Sequence, residues 1–261
     1  MSKIAFVLQS EAELPDPQQV QQLYESFGEP SLPLSQQSDD AKADPTIGPD
    51  PEEAIDLQMW MLGDAQMFVG KMPAPVPGGE AEANAATSLM AVNGGWEVPA
   101  CNGHLIVTWF KTEVTSEQLH AFTKAVAAVA KAANAEAVYW GEGIVTHPTD
   151  FFVEAAVDNP LLAWNGISFA QEANDRVSVL SLGMAQLGLP DLMVEADADQ
   201  LAGVFEFFLD ILAYVYNRGQ PIAHGETLGR TQDEKLRVQH KPSPAIEDQT
   251  CMFVSFPSEA S

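Results

Sequence analysis

Hydrophobic and polar positions alternate along the chain with the periods of short strands and longer amphipathic helices. Residues 3–9 are predicted to form a buried strand. A helix at 16–27 opens with Asp16-Pro17 and ends at Gly28, because proline favours the first helical turn and glycine the end. Further strands are predicted at residues 55–62, 66–72, 105–110, 137–140, 177–182, 192–195, 235–239 and 252–256, and further helices at 80–90, 115–134, 151–157 and 199–217.

The helix at 115–134 has the clearest signals at both of its ends. Thr115 and Gln118 have the spacing of a capping box, in which each side chain satisfies a free backbone N–H of the first turn. Asn134 is a residue type that can close the C-terminal end. One face of this helix is apolar and is predicted to pack in the core, through Leu119, Phe122, Val126 and Val129.

The helix at 199–217 is apolar almost all the way round. Apolar residues form one face along its length, and Phe207, Ile211 and Tyr214 add apolar side chains on the other side. A helix of this kind is buried between layers of its own fold or against a partner. A central core helix is the simpler interpretation, and an interface helix of a larger assembly is the alternative.

Strands and helices follow each other irregularly, and several neighbouring strands are close enough to form hairpins. This pattern predicts an α+β fold with mostly antiparallel sheet and helices packed on one face. The opening strand–helix–strand–strand–helix–strand order is that of a ferredoxin-like unit. We expect an N-terminal unit at 1–112 and a C-terminal module at 113–261, packed together as one compact body. Residues 29–53, rich in Pro, Ser, Gln and Asp, are predicted to form a mobile loop.

A formal net charge of −25, with only 12 Lys and Arg, changes the functional picture. The hydrophobic fraction of 46% indicates a globular chain despite this charge. Arg176 is the only cation between Ala132 and Asn217. A surface this acidic repels nucleic acid and anionic membranes and attracts basic protein surfaces. We therefore expect a basic protein partner, no nucleic acid and no membrane.

The compartment predicted from the sequence is the cytoplasm. The N-terminal apolar stretch is short and lacks the cluster of positive charge that a signal peptide carries. No apolar run is long enough to span a bilayer. Cys101 and Cys251 are far apart in sequence, so reduced thiols are expected.

No catalytic, cofactor or metal motif survives inspection. Gly63 and Gly70-Lys71 are too widely spaced for a phosphate loop, and no Gly-x-Ser-x-Gly occurs. The five histidines are scattered, without the spacing of metal ligands. Asp197 and Asp199 are explained by helix capping. We therefore expect a non-enzymatic protein without cofactor or metal, although a small-molecule pocket stays open as an alternative.

That alternative places a pocket between two loops, at residues 140–147 and 224–227. Both loops combine glycine with ionisable side chains, as site loops often do, although turns with capping side chains would have the same composition. The polar groups of the pocket would be Glu142, His147, His224 and Glu226. Two acids of the C-terminal region, Asp191 and Glu195, complete the set of candidate binding residues.

The last third of the chain has a distinctive pattern of glycine, proline and acidic residues. Gly183-Met184, Gly188 and Pro190-Asp191 precede the long apolar helix, which is followed by glycine-bounded residues 225–229 and by Glu234 to Val238. This pattern, roughly at residues 179–241, resembles the C-terminal module of the bacterial family "domain of unknown function 4261". The resemblance implies a bacterial, cytosolic α+β protein without an established activity, and it carries over no catalytic residues.

The leading functional hypothesis is a protein-binding protein whose acidic surface docks on a basic partner. By analogy with small acidic bacterial proteins, the partner would be a toxin that an immunity protein neutralises by occlusion. The alternatives are the two-loop pocket for a small molecule and a structural module that uses the helix at 199–217 as its interface.

Overall fold

The computed structural model describes residues 3–33, 56–111 and 113–257. Most of the loop expected at 29–53 lies outside these residues. Contacts divide the chain into two units, one formed by Met1–Gly141 with Val145–Ala163 and the other by Glu142–Ile144 with Trp164–Ser261. The expected boundary near residue 112 falls inside the first unit, because the helix that follows it packs on the first unit's sheet.

The first unit is built on a six-stranded sheet whose neighbouring strands are all antiparallel. The strand order across the sheet is β2-β3-β4-β1-β5-β6. The strands are β1 (Lys3–Gln9), β2 (Leu57–Leu62), β3 (Ala65–Met72), β4 (Gly103–Trp109), β5 (Ala137–Trp140) and β6 (Val145–Pro148).

Helices cover both faces of this sheet. The helices up to the unit boundary are α1 (Pro17–Ser26), α2 (Glu80–Ala83), α3 (Leu89–Gly94), α4 (Ser116–Ala132), α5 (Thr149–Asp158) and α6 (Pro160–Trp164). Helix α4 packs between α1 and α5, and its Phe122 stacks on Trp109 of β4. On the opposite face, Ala81 of α2 packs with Leu8 and Tyr139.

The predicted capping box of α4 is confirmed. Thr115 Oγ1 accepts from the Gln118 N–H at 3.2 Å, and Gln118 Oε1 accepts from the Thr115 N–H at 3.1 Å. The helix predicted at 80–90 is instead broken into α2, a 3₁₀ turn at Asn84–Thr87 and α3. The break occurs because Ser88 is extended, with ψ 136°, and caps α3 by accepting from the Met90 N–H.

The second unit has a five-stranded sheet of order β12-β13-β9-β8-β7. The β9–β13 pair is parallel, and the other pairs are antiparallel. A two-stranded hairpin, β10-β11, lies outside this sheet. The elements are β7 (Gly166–Gln171), β8 (Arg176–Leu182), β9 (Asp191–Asp197), α7 (Leu201–Arg218), β10 (Thr227–Leu228), β11 (Leu236–Arg237), β12 (Gln239–Pro242) and β13 (Thr250–Ser255).

The fold class is α+β with mostly antiparallel sheet, as the sequence predicts. The expected packing of helices on one face is wrong for the first sheet, because Leu8 packs with Ala81 of α2 on one face while Trp109 stacks with Phe122 of α4 on the other. The ferredoxin-like detail is not confirmed, because the first sheet has six strands where that unit has four. Within the described ranges, none of the helices combines the length and apolarity that crossing a membrane requires.

Candidate functional site

The second unit contains a groove of about 740 Å³ between α7 and the segment at residues 222–229. Its lining residues are Phe207, Asp210, Ile211, Tyr214 and Arg218 from α7, and Ile222, Gly225, Glu226, Thr227, Leu228 and Gly229 from the segment.

Helix α7 supplies one wall because it carries two apolar faces. The first face packs on β8 and β9 and is buried, through Val204, Phe208, Leu212 and Val215. The second face lines the groove and contains residues 207, 210, 211, 214 and 218. Positions three and four apart lie on the same side of a helix. Tyr214 on this second face is 55% exposed, so α7 is not fully buried within the second unit.

The groove has both apolar and charged lining residues. Arg218 Nη1 lies 3.8 Å from Glu226 Oε2, and this carboxylate also accepts from the Ala223 N–H at 2.9 Å. Asp210 is exposed and makes no ion pair with any residue in the described part of the chain. The groove therefore offers one uncompensated carboxylate beside exposed aromatic surface.

The hairpin that forms the other wall is held in place by two contacts of Arg230. Its guanidinium pairs with the Glu234 carboxylate across the loop that joins β10 to β11. The same guanidinium lies 4.8 Å from the Phe256 ring, which packs edge-on against Phe207 of α7. These contacts connect the hairpin to the helix through the Phe256 ring.

Of the six predicted site residues, Glu226 lines the groove and His224 lies two residues before it. His224 Nδ1 accepts from the His240 N–H at 3.0 Å, and the two rings lie 6.0 Å apart. His240 Nε2 is hydrogen-bonded to the Ile222 carbonyl at 2.8 Å. The sequence did not indicate this histidine pair, because sixteen residues separate its members and only the fold brings them together.

Asp191 is buried and holds the turn that follows β8. Its Oδ1 accepts from the N–H groups of Gly183 and Met184, both at 3.0 Å, and from the Ser181 hydroxyl at 3.3 Å. Burial raises the pKa of this carboxyl, and the three hydrogen bonds oppose that rise. One buried hydrogen-bonding cluster therefore explains the Gly183-Met184 and Pro190-Asp191 pattern of the sequence.

Glu195 is engaged by the guanidinium of Arg176. The Arg176 Nε lies 2.5 Å from Glu195 Oε1, and its Nη1 lies 2.8 Å from Asp197 Oδ1. In the structure, Asp191 and Glu195 thus hold neighbouring strands together, and neither lines the groove.

The other predicted loop, at residues 140–147, contributes none of the groove's lining residues. Glu142 is exposed in a 3₁₀ turn. His147 lies on β6 of the first unit and is fully buried, with Nδ1 2.9 Å from Ser88 Oγ. Burial lowers the pKa of His147 to about 3, and a backbone hydrogen bond at Leu162 opposes the shift.

The buried imidazole predicts how stability depends on pH. The unfolded chain takes up a proton at a pKa of about 6.5, whereas folded His147 does so only near pH 3. The free energy of unfolding should therefore fall as the pH drops below about 6.5, by up to about 1.4 kcal/mol per pH unit from this group. Urea denaturation at several pH values measures the slope.

His147→Gln should flatten that slope between pH 6.5 and pH 4, because glutamine does not titrate. His120→Gln is the matched control, since His120 is only half-buried. Equal slopes for the wild type and His147→Gln would contradict the prediction.

The comparisons with known proteins bear on the second unit. Residues 180–254 match the family model described as Domain of unknown function (DUF4261). Neither the curated proteins nor the solved structures gave a match. Within the described ranges, no group of three or more His, Cys, Asp or Glu side chains could hold a metal ion. The stretch that contains α7, the groove and the Asp191 cluster is thus the stretch that matches DUF4261, as its sequence pattern predicted.

Proposed function

We propose that this protein binds a basic protein partner through its acidic surface. The observation that carries the proposal is the excess of acidic side chains, 37 Asp and Glu against 12 Lys and Arg. Several of the few basic side chains are already compensated by ion pairs within the described residues. These pairs are Lys71 with Asp56, Lys111 with Asp64, Lys124 with Glu29, Arg176 with Glu195 and Asp197, Arg218 with Glu226, and Arg230 with Glu234. The remaining acids form the surplus of negative charge.

Part of that surplus lies in a row on α5. Asp150, Glu154 and Asp158 are four residues apart and exposed, so they share one face of the helix. Helix α5 contains no Lys or Arg. Like charges in such a row raise the local negative potential, which steers a cationic protein toward the surface before contact.

The groove adds what steering by charge lacks, namely apolar area that a partner can bury. Exposed aromatic side chains in a well-packed pocket are common anchors of protein interfaces. Tyr214 is such a side chain, and Asp210 lies one helical turn from it. The specific form that we propose is a cytoplasmic immunity protein that neutralises a basic toxin by covering its surface.

The proposal predicts strongly salt-dependent binding. Capture by the immobilised full chain should recover proteins of basic isoelectric point at about 50 mM salt. At least about ten-fold less should be recovered at about 500 mM, because salt screens exposed charges. The bound proteins are identified by mass spectrometry, and each is expressed alone and together with this chain. Toxicity that co-expression relieves would support the immunity form.

A triple variant of α5, Asp150→Asn with Glu154→Gln and Asp158→Asn, should slow association with the captured partner. A control with the same change in net charge replaces three exposed acids elsewhere, Glu11, Glu13 and Glu25, with glutamine. Partner binding that is the same at both salt concentrations would contradict the proposed function.

A second function, binding of a small molecule, is favoured by the dimensions of the groove. Ligand pockets commonly enclose about 300 to 1,000 Å³ and place a few polar groups around an apolar lining. The groove has both properties, with Asp210, Arg218 and Glu226 as its charged groups. Binding of a neutral molecule there would depend little on salt, which distinguishes this function from the first.

A further inference from the structure

The groove lies along the outer edge of a short strand. All the residues from Gly225 to Gly229, including β10, line it, whereas no residue of β11 does. The hairpin contains only β10 and β11 among the strands of the described ranges, so β10 has a neighbouring strand on one side. The groove therefore occupies the side of β10 that faces away from β11.

The backbone of Thr227 is directed toward that side. The Glu226 carbonyl accepts from the Val238 N–H at 2.8 Å, and Thr227 pairs with Arg237 in the ladder. In an antiparallel strand, successive residues direct their N–H and C=O groups alternately to the two edges. The N–H and C=O of Thr227 thus point away from β11, as the groups of an edge strand that can accept another strand do.

The opposite wall offers side chains to a strand in this position. Tyr214 and Phe207 present aromatic surface, and the carboxylate of Asp210 lies between them along the helix. A cation placed there would meet a carboxylate without an ion-pair partner in the described part of the chain, and an exposed tyrosine ring. This chemistry suits Lys or Arg next to apolar residues and disfavours acidic side chains.

We propose that the groove receives an extended, basic segment of the partner, which adds to β10 as a third strand and places a Lys or Arg side chain at Asp210. This inference rests on the proposed function and names the mode of recognition. Main-chain hydrogen bonds to Thr227 provide the register, and the groove-facing side chains of α7 select basic and apolar residues, the division of roles found when a peptide adds to a sheet edge.

Three fluorescein-labelled synthetic peptides of eight residues test the proposal against the full chain by fluorescence anisotropy. The first alternates valine and lysine, and the second alternates valine and glutamate. The third has the valine–lysine sequence with its backbone nitrogens methylated, which keeps the charge and side chains but removes the donors of a strand. The first peptide should bind, the second should not, and the third should bind at least ten-fold more weakly.

Two substitutions locate the binding. Asp210→Asn should weaken binding of the valine–lysine peptide about two- to five-fold, the usual size for an exposed ion pair. Glu206→Gln, an exposed acid of α7 outside the groove lining, should leave binding unchanged. Thr227→Pro removes the backbone N–H that points into the groove, so this variant should not add a third strand. Peptide binding should therefore slow amide hydrogen exchange at residues 225–229 in the wild type but not in Thr227→Pro.

Equal affinity for the methylated and unmethylated peptides would overturn strand addition. So would unchanged hydrogen exchange at residues 225–229, or an equal loss in Asp210→Asn and Glu206→Gln. These results leave the proposed function intact if salt-dependent capture of a basic partner persists in the Thr227→Pro variant. The salt titration of the captured partner decides the proposed function separately.

Discussion

Replacing Arg176 with methionine is expected to lower the free energy of unfolding of the second unit by about 2 to 4 kcal/mol. The guanidinium is largely buried and bonds to several groups at once. Besides Glu195 and Asp197, its Nη2 donates to the Ser255 hydroxyl at 3.0 Å and to the Phe256 carbonyl at 2.9 Å. It therefore joins β8, β9 and the end of β13.

Methionine fills a similar volume but leaves the carboxylates of Glu195 and Asp197 without their cation. Removing one partner of a largely buried ion pair is costly, because the remaining charge keeps its desolvation penalty and loses its compensation. The two carboxylates are also two residues apart on β9, so they lie on the same face and repel each other.

Urea denaturation gives the loss of stability, and hydrogen exchange followed by mass spectrometry shows where it falls. Peptides from β8, β9 and β13 should exchange faster in Arg176→Met, whereas those from β1 and β4 in the first unit should not. Arg176→Lys should be intermediate, because a single ammonium cannot contact all four partners. A loss below about 0.5 kcal/mol, the range of ordinary surface substitutions, would refute this role for Arg176.

The second large effect is expected for Gly183→Ala, at about 2 to 4 kcal/mol. Gly183 has φ +127°, a backbone conformation that residues with a side chain rarely adopt. A Cβ built there lies 2.8 Å from Gly143 Cα and 2.5 Å from the Trp164 carbonyl oxygen. Both obstacles are backbone atoms, so they cannot move aside as a flexible side chain would.

Gly188→Ala is the matched control for this substitution. Gly188 also has a positive φ, +71°, but a Cβ there meets no atom within 4 Å. It should therefore cost only the backbone strain, about 1 kcal/mol. The difference between the two variants in urea denaturation isolates the steric part. Equal losses of stability in the two variants would contradict a steric requirement for glycine at position 183.

Both effects concern groups that organise the second unit without lining the groove. Gly183 and Asp191 shape the turn after β8, and Arg176 secures the neighbouring strands. The sheet they stabilise is the surface on which the inner face of α7 packs. Disturbing them should weaken partner binding only through loss of folded protein, whereas Asp210→Asn should weaken binding without loss of stability.

Local signals in the sequence determined much of the secondary structure. The sequence shows three local signals directly, because each acts within a few residues: the capping pair Thr115 and Gln118, the apolar run within residues 3–9, and the proline at the start of α1. The helix predicted at 80–90 failed at Ser88, because an N-cap serine starts a new helix in the middle of a helix-forming stretch. Strands β6 and β7 were not predicted, since short strands depend on the neighbours they pair with.

The candidate site shows the same division. The sequence determined that α7 has an excess of apolar residues and that the chain carries far more acid than base. Only the tertiary structure decided that Tyr214 and Asp210 face a groove, that Glu226 lines it, and that Asp191 and Glu195 hold strands together. The reason is physical: helical periodicity and net charge follow from the order of residues, whereas burial and pairing depend on which distant segments the folded chain brings into contact.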